Sequence, residues 1–148
     1  MKFDPIVKSL LNEGVVIPAH PLALTQNLQL DEKRQRLLTR YYMACGTGGV
    51  AVGVHTTQFE IRNPDIKLLE PVLRIAAEEI NKAILKRPFI KVAGICGPRE
   101  QAVEEAELAV KYGYHLGLVS NGGLNNYSEK KLLIRTERIA DVMPVFGF

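Results

Sequence analysis

Apolar residues in this chain alternate between short continuous runs and longer stretches of helical period. Runs of strand length occur in "EGVVIPAH" (13–20), "GGVAVGV" (48–54), "PFIKVAGICG" (88–97), "YHLGLVSNGG" (114–123) and "MPVFGF" (143–148). Between them the spacing changes to about 3.6, and each stretch carries helix punctuation. An opening amphipathic helix puts Ile6, Val7, Leu10 and Leu11 on one side. A second helix over 31–45 is N-capped by Asp31, shows an apolar face of Leu37, Leu38, Tyr41 and Tyr42, and stops at Gly46. The stretch 65–86 aligns Leu69, Val72, Leu73, Ala76, Ile80 and Ile84, with Pro71 early enough for a first turn. Pro98 opens a further helix at its first position and Gly113 closes it; Ser128 caps the last one.

The order is helix, then strand and helix four times, then a fifth strand. Strands that are continuously apolar, each followed by a helix, predict a parallel sheet covered by helices, so the class is α/β. An open doubly wound sheet and a (β/α)₈ barrel both fit this order. The loop after the first strand, "IPAHPLALTQ", lacks the GxGxxG of a dinucleotide cradle. A complete barrel takes about 250 residues, and these 148 residues hold about four and a half of its units.

Composition adds little to this picture. The formal charge of +3 is dispersed among acids and makes no nucleic-acid footprint. No apolar stretch reaches the ~20 residues of a membrane span, and the first residues lack a signal-peptide core, so a cytoplasmic protein is expected. Cys45 and Cys96 belong to no CxxC pair and read as small thiols in a reducing compartment.

In either architecture chemistry gathers at the carboxyl ends of the strands. Those ends carry Pro18, Ala19 and His20; His55, Thr56 and Thr57; Cys96 and Gly97; and Ser120, Asn121, Gly122 and Gly123. Hydroxyls, imidazoles and glycine backbone, with carboxylates nearly absent, suit an anionic ligand better than a divalent cation. Thr56 and Thr57 offer hydroxyl and backbone donors to a carboxylate; they also suit a simple turn after the strand. His20, His55 and Cys96 are soft metal-ligand types on neighbouring strand ends, but their spacing fixes no metal site. Ser120 lacks a GxSxG elbow, and no spacing marks a base beside Cys96.

Four stretches together resemble the dihydrodipicolinate synthase and N-acetylneuraminate lyase family, pyruvate-dependent class I aldolases built on a (β/α)₈ barrel. "VVIPAH" resembles the family's first strand, and "VHTTQFE" its Gly-Thr-Thr-Gly-Glu signature, with His55, Gln58 and Phe59 replacing the glycines and glutamate. "IKVAGICGPREQAVEEAELAVKYGYHLGLV" is similar to the third strand, helix and fourth strand, and "MPVFGF" to the start of the fifth. The resemblance covers residues 14–148 and implies the amino-terminal part of such a barrel, a single incomplete domain over 1–148 truncated at strand five.

For function it implies a lyase or related dehydratase that forms a Schiff base between a lysine and pyruvate or another 2-oxo acid. It implies no cofactor, no metal and a homo-oligomer at full length, while the charge and hydropathy above already argue against a nucleic-acid or membrane partner. Thr57 would hold the carboxylate and Thr56 would sit in the proton-relay position; His55, which stands where the resemblance predicts glycine, and His20 are expected to bind substrate with them by their place at the strand ends. The Schiff-base lysine is expected beyond residue 148. Lys91 is an amine within the chain but is expected at the solvated start of its strand. Where the family's fourth strand runs into Pro-Tyr-Tyr this chain has "SNGGLNNYSEK", so Tyr127 would replace the relay tyrosine only with a remodelled loop. Phe148 stands near the family's catalytic tyrosine. Two alternatives remain at this level: a non-catalytic half-barrel stabilised by pairing with another chain, and a metal-dependent barrel enzyme using His20 and His55.

Overall fold

The computed structural model describes residues 3–147; Phe148 lies outside them. Four parallel strands, β1 (Gly49–Val52), β2 (Ile90–Ile95), β3 (Leu116–Val119) and β4 (Val145–Gly147), pair in sequence order. Helices α1 (Pro5–Glu13) and α2 (Glu32–Ala44) precede β1, and α3 (Leu69–Lys82), α4 (Arg99–Lys111) and α5 (Glu129–Val142) each lead from one strand to the next. Every residue of β1 and β2 is buried, which is why their sequences, Lys91 apart, run apolar without alternation.

One sheet face, carrying Val50, Val52, Ala93, Ile95 and Val119, packs under α2 to α5 in the main core. The opposite face, carrying Ala51, Ile90, Val92 and Leu116, meets Val7 of α1 and residues flanking it in a second, smaller core. α2 packs on α3, and α4 on α5. The first pair is joined by the ion pairs of Arg36 with Glu78 and Glu79 (2.8 and 3.0 Å) and of Arg40 with Glu79 (2.6 Å).

The caps follow the sequence closely. Asp31 accepts from the Arg34 N–H at 2.9 Å, and Ser128 from the Lys131 N–H at 3.3 Å. Gly113 ends the α4 turn at a φ of 72°.

Several local expectations are corrected. Residues 13–20 form no full strand: only Ala19 bridges Ala51, with the His20 N–H donating to the Ala51 carbonyl at 2.8 Å. Pro18 has no N–H to extend this ladder, and the nearby Gly49 carbonyl accepts instead from the Thr47 hydroxyl at 3.2 Å. α2 is rotated from its expected face. Leu37 and Tyr41 are exposed, while Gln35 and Thr39 are buried, because His20 supplies them with polar partners. Ile84 lies beyond the end of α3 and is fully exposed. Pro98 is the N-cap of α4 rather than its first residue.

Lys91 is not at a solvated strand start. It is 5% exposed, and its Nζ donates to Asn81 Oδ1 at 2.8 Å. β2 is an inner strand whose second residue already lies beneath α3, so its amine is buried and pushed below the usual lysine range by burial. It occupies the end of the strand opposite His55 and Cys96.

Candidate functional site at the carboxyl ends of the strands

After Val52 the chain turns at Gly53, whose φ of 77° favours glycine, and enters a single 3₁₀ turn, His55–Thr57. The turn is held from below. The buried Thr57 hydroxyl accepts the Gly53 N–H at 3.0 Å and donates to the His20 carbonyl at 2.6 Å. His20 is itself fully buried, with Nε2 2.9 Å from Thr39 Oγ1 and Nδ1 2.8 Å from Gln35 Nε2. Burial lowers its pKa from the usual histidine value, and the Pro21 carbonyl beside Nδ1 offsets this in part. The polar residues at the end of the predicted first strand thus form a buried scaffold for the turn.

His55 and Thr56 face outward. The Thr56 hydroxyl makes no hydrogen bond among the described residues, whereas its carbonyl accepts from the Leu22 N–H at 3.3 Å. His55 stacks edge-on against Phe59 at 6.0 Å. Val54, His55, Phe59, Cys96, Leu118 and Ser120 border one narrow cleft at the ends of β1, β2 and β3. Its free space of about 10 Å³ matches one water, so a larger ligand would sit above these residues rather than among them.

Two buried arginines underlie this mouth. Arg62 pairs with Glu105 at 2.8 Å and donates from Nη2 to the carbonyls of Gly53 and Gly94 at 2.9 and 3.0 Å. Glu105 also accepts the Cys96 N–H at 3.1 Å and the Gln101 amide at 2.8 Å. The close approach requires glycine at 94, where a Cβ would lie 2.4 Å from the Gly53 oxygen. Arg135 donates to the carbonyls of Gly97 (2.8 Å) and Ser120 (3.1 Å) and to Asn121 Oδ1 (3.3 Å). Both arginines escape a sequence reading because helical and loop charges usually face water. One signal existed: Arg135 falls on the stripe of Leu132, Ile139 and Val142, the inward face of α5.

Burial pushes the Cys96 thiol up, and the Glu105 charge adds to the effect, while Arg62 and Arg135 oppose it. Tyr127 carries Lys131 over its ring at 3.7 Å. Among the described residues no three His, Cys, Asp or Glu side chains converge as a metal-ligand set, and His20 is engaged away from His55.

The same backbone path recurs in solved structures. N-acetylneuraminate lyase from Mycoplasma synoviae superposes with a TM-score of 0.75 at 18% identity, over 90% of this chain and 45% of that one. The fold is that of the amino-terminal part of this (β/α)₈ barrel. CdNal from Clostridium difficile, solved with mannosamine, gives 0.75 at 16% identity over 90% and 46% of the two chains. YagE, an Escherichia coli K12 prophage protein of the dihydrodipicolinic acid synthase family solved with pyruvate, gives 0.73 at 19% over 88% and 43%. The chain therefore spans less than half the length of each. No protein-family profile and no curated protein matches the sequence. At these identities the likeness establishes the fold, and the neighbours come from the family that the four sequence stretches resemble. No helix among the described residues is long and apolar enough to cross a membrane.

Proposed function

We propose that this chain is part of a lyase of the dihydrodipicolinate synthase and N-acetylneuraminate lyase family, and that the His55–Thr57 turn receives the carboxylate of a 2-oxo acid. The observation that carries the reading is the Thr56 hydroxyl, exposed and without a hydrogen-bond partner among the described residues, at the carboxyl end of β1. It stands in a fold shared with a pyruvate-bound protein. In this reading Thr56 and His55 touch the substrate, while Thr57 and His20 stand behind them and fix the turn through the bonds that each already makes. A carboxylate suits such a place, since hydroxyl and backbone donors to an anion form the stronger class of hydrogen bond.

The attacking amine is assigned to a lysine outside residues 1–148. Condensation with the 2-oxo group gives an iminium that draws electrons from the adjacent carbon, so carbon–carbon addition or cleavage proceeds without a metal. Lys91 does not serve, because its amine is buried at the opposite end of its strand and bonded to Asn81.

Pyruvate and borohydride added to the full-length protein test this. The expected result is one reduced adduct, on a lysine outside this segment, and no adduct on residues 1–148. Thr56→Val should weaken pyruvate binding about tenfold or more, the cost of a lost hydrogen bond to a charged group. A full-length protein that forms no adduct refutes the mechanism, and undiminished binding in the variant refutes the seat.

A further inference from the structure

Arg135 is 0% exposed, yet no carboxylate pairs with it among the described residues. Its three hydrogen-bond partners, the Gly97 and Ser120 carbonyls and Asn121 Oδ1, are all neutral. A buried cation without an ion-pair partner is costly, and proteins ordinarily pair it. The nearby Glu105 is already spent on Arg62 at 2.8 Å and on the Cys96 N–H. Arg62, Arg135 and Glu105 together therefore leave one positive charge beneath the turns that end β2 and β3. Those turns present Cys96 and Ser120 to the cleft at the mouth of the site. Arg135 is shielded from bulk water, and there a fixed charge acts more strongly than in solution.

We propose that Arg135 is a positioning residue that makes this mouth anion-selective, holding the turns after β2 and β3 in place and biasing the cleft toward anionic over neutral ligands of similar size. The proposal rests on reading the mouth as the ligand site, and it extends to any anionic group brought there, including one on a second substrate. Arg135 does not touch the ligand. It acts through the Gly97 and Ser120 backbone that it holds and through its field. The thiol of Cys96 is a reporter of that field, since Arg135 opposes the upward push that burial and Glu105 give it.

The test is charge-selective alkylation of Cys96 in full-length Cys45→Ser protein, using iodoacetate, an anion, and iodoacetamide, its neutral counterpart. Each rate is divided by that of N-acetylcysteine amide with the same reagent, which removes intrinsic reactivity. The normalised iodoacetate-to-iodoacetamide ratio should exceed one by about fivefold at low ionic strength and fall with added salt. Arg135→Gln should return the ratio close to one, whereas Arg135→Lys, which keeps the charge but not the fork, should retain most of it. A wild-type ratio of one or less overturns the proposal even if neither variant folds. A raised ratio that survives in Arg135→Gln overturns it as well, because a residue that only shaped the turns would change both rates together. Pyruvate takes no part in this measurement. A selective mouth in a protein that forms no pyruvate adduct would refute the proposed function alone, and an adduct with an unselective mouth would refute the role of Arg135 alone.

Discussion

Acidification should destabilise this protein through His20 before its carboxylates respond. The imidazole is 0% exposed and its hydrogen-bond partners, Thr39, Gln35 and the Pro21 carbonyl, include no acid. Burial holds its pKa below the ordinary 6.5. The unfolded chain therefore binds more protons than the folded one just below 6.5, and stability rises with pH through that window. It is fully present above 6.5 and lost as the pH falls toward the folded value.

If His20 stays neutral in the folded state, lowering the pH from about 7.5 to 5.5 costs about 1.4 kcal/mol for this one group. His115 acts in the same direction. Burial and then the Lys91 charge lower its pKa, while Asp4 opposes them, and its Nδ1 accepts the Lys91 N–H at 3.0 Å. Together the two set an upper limit of about 2.7 kcal/mol over the same span. The carboxylates held low by arginine or lysine partners, among them Glu78 and Glu79, contribute stability that is lost only below about pH 4.5, outside this window. Urea denaturation at pH 7.5, 6.5 and 5.5 measures the slope. His115→Asn, whose Oδ1 still accepts the Lys91 N–H, should keep the His20 share. A stability unchanged across this range refutes the claim that burial lowers the His20 pKa in the fold.

Glu105→Ala leaves Arg62 without its ion-pair partner and the Cys96 N–H without its acceptor; the expected loss is about 3–5 kcal/mol, read by urea denaturation. A loss below about 1 kcal/mol would show that the pair is not buried as described. Ser128→Ala removes the acceptor for the Lys131 N–H and should cost about 1 kcal/mol, seen as a shift in urea midpoint at unchanged slope.

Much of the fold was legible because its signals are local. α3, α4 and α5 announce themselves through the spacing of Val72, Leu73 and Ala76, through Pro98 and Gly113, and through Ser128. Apart from Lys91, β2 and β3 carry no polar side chain because an inner parallel strand is covered on both faces, so composition alone marks them. The turn at His55–Thr57 was located by the same logic, since it follows directly from the end of β1. Residues 13–20 read as a strand for their apolar run, but a ladder needs donors, and Pro18 has none.

Other features were decided by contacts between residues far apart in the chain. Leu37 and Tyr41 satisfy a helical period as well as Gln35 and Thr39 do; what turns the second pair inward is His20, nineteen residues before Thr39. Hydropathy likewise places Arg62, Arg135 and Lys91 at the surface, because it scores a side chain in water and not beside the carbonyls or amide that receive it. The sequence by itself determined the α/β class, the order of the helices and inner strands, and the position of the threonine turn, all set by period and backbone chemistry. Only the tertiary structure decided which of the two threonines is free, and that two buried guanidinium groups brace the strand ends. Those outcomes depend on which hydrogen-bond partners the folded chain brings within about 3 Å of each side chain, and sequence spacing does not encode that distance.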